Sequence, residues 1–110
     1  MLPEPPYYAV IFSAQHTGRG SDEYGETAKR MVELAATMPG YLGVESARDE
    51  GGFGITVSYW ESEASIKHWR DNMEHSHARH RGRKQWYSSY TLRVAKVERA
   101  YEMTERPSDE

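Results

Sequence analysis

Cysteine is absent from this 110-residue chain. That excludes disulfides, thiolate nucleophiles and thiolate-ligated zinc or iron–sulfur centres. Long apolar runs are missing too: the longest, Tyr7 to Phe12, is far too short to cross a membrane. Positive charge is not in excess, because 14 basic residues stand against 17 acidic ones for a net charge of −3. A dedicated nucleic-acid binder needs a basic surface for its phosphate contacts, so that class is excluded. The opening "MLPEPPYY" lacks the basic and apolar regions of a signal peptide. Together these absences predict a soluble, cytoplasmic protein with no nucleic-acid and no membrane partner.

What the chain does have is aromatic side chains, 12% of its residues, with eight tyrosines among them. Its length is that of one domain. A domain this small buries only about 60–70% of its unfolded surface, so a further face buried against a partner would help it.

Residues 1–6, "MLPEPP", carry three prolines and read as a tail or an edge cover. "YYAVIFSAQ" (7–15) is aromatic and β-branched, a buried strand, and "HTGRG" breaks it. Ser21 is placed to cap a helix over "DEYGETAKRMVELAATM". Tyr24, Ala28, Met31, Ala35 and Met38 form its apolar stripe, and "MPG" stops it. "YLGVESARDE" (41–50) alternates as a strand, "DEGG" is a hairpin turn, and "FGITVSYW" (53–60) is the most β-prone stretch.

Ser62 or Glu61 then caps a second helix with Ile66, Trp69 and Met73 on one face, and Gly82 stops or breaks it. A last strand is expected over 87–103, with Leu92, Val94 and Lys96 on one side and Arg93, Ala95, Val97 and Arg99 on the other. The acidic end 104–110 reads as a disordered tail. The order β-α-β-β-α-β predicts an α+β, ferredoxin-like protomer with two helices on one face of four antiparallel strands. The other face is left bare, and a second copy of the same sheet is the simplest cover.

Three stretches carry a family resemblance: "MPGYLGVES", "ITVSYWESEASIKHWRDNMEH" and "HARHRGRKQWYSSYTLRVAKVERAY". They contain Pro-Gly-aromatic before the second strand, "YW-x-S-x-x-x-I-x-x-W" into the second helix, and a Gly-Arg followed by "WY". In this order and spacing the chain resembles the antibiotic biosynthesis monooxygenase (ABM) superfamily over residues 7 to 103. The resemblance implies a homodimeric α/β barrel of two ferredoxin-like protomers, each with a pocket between sheet and helices. It implies oxygenation of a small planar aromatic or quinol-like substrate with no cofactor. It also implies an alternative, haem binding and degradation. That branch uses an Asn on the first strand, a Trp on the second helix and a His beyond it. Trp69 matches the Trp, and His75 or His77 stands for the ligand at a shorter spacing. Phe12 or Ser13 falls where the Asn belongs.

Residues 66–87 hold four of the five histidines and two of the three tryptophans. On one continuous helix His77 and His80 share the face of Ile66, Trp69 and Met73, while His75 points away. No third group completes a metal set there, so no metal is expected. A bend near Asn72 would change these facings. His75 and His77 are the catalytic candidates, because an imidazole titrates near working pH and can take a proton from a phenol or quinol. The plainer reading of His75 is a capping or loop-tethering hydrogen bond.

Trp69 is the candidate stacking wall, with core packing as its plainer role. Asn72, Phe12, Tyr59 and Trp86 complete the expected substrate contacts. The basic run Arg79, Arg81, Arg83, Lys84 reads as a solvated face. No catalytic triad or phosphate loop is visible. The absence of a clean catalytic set leaves a third reading, a non-catalytic dimer that binds a small hydrophobic ligand.

Overall fold

The structure is a computed structural model that describes residues 2–105. Its aromatic and β-branched runs form four strands: β1 (Tyr7–His16), β2 (Tyr41–Arg48), β3 (Phe53–Trp60) and β4 (Tyr87–Val97). The amphipathic segments form α1 (Ser21–Ala35), α2 (Glu63–Asp71) and α3 (Met73–Arg81), followed by a π-helical turn at Gly82–Trp86. The sheet order is β2-β3-β1-β4, with antiparallel neighbours throughout. The β1-to-β2 connection passes β3 and the β3-to-β4 connection passes β1, which is the interleaved topology expected from the element order.

Register sorts the side chains. Tyr8 pairs with Trp60 and Val10 with Ser58, while Ala9 pairs with Tyr59 and Ile11 with Val57. Paired residues share a face and neighbours alternate. Trp60 and Val10 therefore lie under the helices, and Tyr59, Val57, Ile55 and Ile11 lie on the bare face. Trp60 is fully buried and packs with Ala35 of α1 and Trp69 of α2. Val10, Met31, Leu34, Met38, Tyr41 and Ile66 surround these three.

Local chemistry sets the element ends. Ser62 caps α2 by accepting the Ser65 N–H at 3.1 Å. Gly20, with no side chain to offer, sits at the cap position of α1, so Ser21 is its first helical residue and not its cap. Gly40 adopts φ +83°, and its carbonyl accepts the Glu61 N–H at 2.8 Å. A Cβ there would collide with the Ser65 side chain, so only glycine admits α2 this close.

Two expectations need correction. The last strand ends at Val97, not near residue 103, because Val97 pairs with Tyr7 and the ladder stops there. Pro5 and Pro6 precede Tyr7 and have no N–H with which to extend it. The second helix is two helices. Asn72 is extended (φ −60°, ψ 130°), and its Oδ1 caps α3 by accepting the His75 N–H at 3.0 Å. The last five residues of the tail expected over 104–110 lie outside the described residues.

Two stability changes follow. Trp60→Ala should lower unfolding free energy by about 3–5 kcal/mol in urea denaturation. Asn72→Ala removes only a cap and should cost about 1 kcal/mol. A Trp60→Ala loss no larger than that of Asn72→Ala would show that the stacked core does not dominate stability.

Candidate functional site

Breaking the helix at Asn72 reverses the expected facing of the histidines. His75 turns inward and lies flat on Trp69, with ring centroids 4.0 Å apart and planes within 12°. Trp60 lies against the same indole at 6.0 Å and 25°. The Trp69 carbonyl can only accept, so the 2.9 Å contact from His75 Nδ1 places the ring proton on Nδ1. In the neutral ring Nε2 then carries the lone pair, the atom a general base uses. Burial lowers the His75 pKa; the Trp69 carbonyl opposes this and Arg79 reinforces it. The result is a neutral imidazole at neutral pH, tethered through Nδ1 and with its lone pair on Nε2.

The other predicted residues do not gather around it. His77 is exposed and lines a crevice of about 220 Å³ between α1 and α3, together with Glu26, Met31 and Ala78. Asn72 is committed to structure: Oδ1 caps α3, and Nδ2 approaches Met38 Sδ at 4.0 Å. Trp69 is 9% exposed, with its surface taken by Trp60 and His75. Tyr59 sits across the sheet, where its hydroxyl donates to Glu45 Oε1 at 2.8 Å. That bond, with burial behind it, pushes the Tyr59 pKa up to about 12.

Phe12 and Trp86 belong to a second aromatic cluster at the far end of β1. Phe12 meets Tyr87 at 5.2 Å and Tyr90 at 5.4 Å, and Trp86 meets Tyr24 at 5.4 Å. This cluster includes His16, which sequence reasoning left in a strand-breaking loop. His16 packs on Tyr24 at 4.4 Å and accepts the Gly18 N–H on Nδ1 at 3.0 Å. Its Nε2 and the Trp86 Nε1 are buried with no hydrogen-bond partner among the described residues. Tyr24, Tyr87 and the strand-end position of His16 were the signals that could have found this cluster.

Haem does not fit these residues. A porphyrin needs an open slot beside Trp69 with a histidine nitrogen aimed across it. Here one candidate histidine closes that surface and the other faces the crevice between α1 and α3. Among the described residues no group of three His, Asp or Glu converges to hold a metal ion. No helix among them is long and apolar enough to cross a membrane.

Comparison with known proteins adds the following. The family described as antibiotic biosynthesis monooxygenase matches residues 7–81. The chain is 56% identical over 107 residues to the uncharacterized protein YqjZ of Bacillus subtilis, covering 97% of this chain and 93% of that one. It is 30% identical over 94 residues to the jasmonate monooxygenase ABM of Pyricularia oryzae. That match covers 82% of this chain but only 43% of the fungal protein. Among solved structures, the cofactor-independent oxygenase SnoaB of Streptomyces nogalater aligns with a TM-score of 0.69 at 11% identity, over 92% of this chain and 100% of that one. At that identity the likeness shows a shared fold.

The buried imidazole makes stability depend on pH. Its folded pKa lies below the unfolded value, so the unfolded chain binds more protons between the two. Stability should therefore fall as pH drops below about 6.5, then level off below the folded pKa. Urea denaturation of wild type and His75→Gln across this range should show a shallower fall in the variant. Identical profiles would remove this linkage.

Proposed function

This chain belongs to the antibiotic biosynthesis monooxygenase family, and on that premise we propose that it oxygenates a small planar aromatic or quinol-like molecule without a cofactor. The observation that carries the reading is His75: a desolvated, neutral imidazole whose Nδ1 is fixed by a carbonyl, which leaves the lone pair on Nε2. The family includes monooxygenases and, by fold, a cofactor-independent oxygenase, which supports the same chemistry.

The reaction balances within this frame. His75 Nε2 takes a proton from an acidic C–H or phenolic group of the substrate. The electron pair left on carbon forms a C–O bond to dioxygen, and the proton is delivered to the resulting peroxide. Loss of water then leaves a carbonyl. One oxygen atom enters the product and the other leaves in water together with the second hydrogen of that carbon, and the substrate supplies all four electrons. Neighbouring apolar surface keeps bulk water from the reactive carbanion.

The working form is proposed to be a homodimer. The bare face carries Ile11, Val57 and Tyr59, with Ile55 and Phe53 41% and 43% exposed. Burying such apolar surface against a second copy stabilises both protomers.

Two measurements test this. Oxygen uptake with a panel of naphthols and quinols should be saturable, and His75→Ala should reduce kcat by about 100-fold or more. Unchanged turnover in His75→Ala would remove His75 as the base, and a ligand bound but never oxidised would favour a passive binder. Light scattering at micromolar concentration should give twice the 12.7 kDa chain mass. Ile55→Lys should shift the protein to monomer, and a monomeric wild type would end the dimer reading.

A further inference from the structure

Three side chains of α3 close the end of α2. The last four carbonyls of a helix have no partner within it. In α2 the Trp69 carbonyl accepts from His75 Nδ1 at 2.9 Å. The Arg70 carbonyl accepts from Ser76 Oγ at 3.0 Å and from Arg79 Nη1 at 3.2 Å. Two of these three donors can carry positive charge, and the carbonyl end of a helix favours a cation. An imidazole alone at such an end is drawn toward its protonated form. A guanidinium is charged at every working pH, so Arg79 fills the cation's place permanently.

We propose that Arg79 is a positioning residue for His75: it supplies the fixed cation at the carbonyl end of α2 and so keeps the neighbouring imidazole in the form that accepts a proton. The inference rests on the reading of His75 as the base and adds to it what holds that base ready.

The geometry supports this role in two ways. First, Arg79 lies four residues beyond His75 on α3, so the two side chains share a helix face. They reach adjacent carbonyls in the last turn of α2. Like charges so placed disfavour each other, and the field of Arg79 lowers the proton affinity of His75. Second, Ser76 and Arg79 share the Arg70 carbonyl and thereby fix α3 against α2 beyond the extended residue Asn72. That clasp holds His75 flat on Trp69.

The other charged groups around His75 are paired or turned outward. On α3, Glu74 pairs with Arg30 of α1 at 2.7 Å, and His77 faces the crevice toward α1. On α2, His68, Arg70 and Asp71 are exposed, and Asp71 pairs with Lys67 at 2.7 Å and with Arg70 at 3.8 Å. The core around Trp69 presents Trp60, Met31, Leu34 and Met38, which carry no charge, and the phenol of Tyr41. Arg79 is the cation whose guanidinium bonds the same helix end as His75.

The test separates hydrogen bond from charge. Arg79→Gln keeps a donor for the Arg70 carbonyl without the charge, whereas Arg79→Lys keeps the charge. Proton NMR titration of the His75 Cε1–H, assigned with His75→Gln, reads the imidazole directly. In Arg79→Gln its pKa should rise by about 0.5. The rise should shrink at high salt, as a charge effect does and a purely structural one does not. In Arg79→Lys the titration should match wild type. The acid limb of kcat for oxygen uptake should move to higher pH by the same amount in Arg79→Gln, because the base must be unprotonated. An unchanged His75 titration in Arg79→Gln, or an equal rise in Arg79→Lys, overturns the proposal. A shifted titration with no oxygen uptake by any of these proteins overturns the oxygenase reading instead and leaves the coupling of Arg79 to His75 standing.

Discussion

The stack Trp60–Trp69–His75 is the interaction on which the rest of the structure depends. It joins the end of β3 to α2, and α2 to α3, through stacked ring faces, with hydrogen bonds from α3 to the Trp69 and Arg70 carbonyls beside them. Trp60 is the fully buried side chain at its base, and α1 adds Ala35, Met31 and Leu34 around it. A small domain has little other surface to bury, so much of its apolar stabilisation passes through these rings. The same stack carries the candidate chemistry, because its last ring is an imidazole with a fixed tautomer.

Asn72 decides how that stack ends. A continuous helix would carry His75 away from the core and leave the face of Trp69 bare. The extended Asn72 instead starts a second helix, and its side chain caps the new N-terminus on the His75 amide. The residue predicted to orient a substrate thus acts on backbone. Its effect on the site is indirect and large, because it sets which histidine faces inward.

The sheet divides the remaining functions. Under the helices lie the tryptophan stack and, further along β1, the packed rings of Phe12, His16, Tyr24, Trp86 and Tyr87. On the bare face Tyr59 and Glu45 form a hydrogen bond beside Ile55, Val57 and Ile11. Tyr59 and Trp69 cannot touch one ligand with a sheet between them. The bare face carries the exposed apolar side chains Phe53 and Ile55, and the covered face carries the ring stacks.

The sequence by itself determined the four strands, their order with the helices, the hairpin turn at 49–52, and the family. Period-two and period-3.6 patterns are local, and so are the cap at Ser62 and the glycine at position 40. It also determined which residue types are available: four histidines and two tryptophans in one short stretch, and no cysteine. Tertiary structure decided which of these meet. Nothing in the spacing of His75, His77 and His80 says that a single extended residue will rotate one of them onto Trp69. That outcome depends on Asn72 giving up one helical turn for a cap, and on Trp60 being in place to support the indole. His16 shows the same limit, since a histidine at the end of a strand gains its surroundings from Tyr24 and Tyr87, distant in sequence. Propensity fixes where elements begin, whereas the contacts that set tautomer, burial and pKa are made between elements and exist only once the chain has folded.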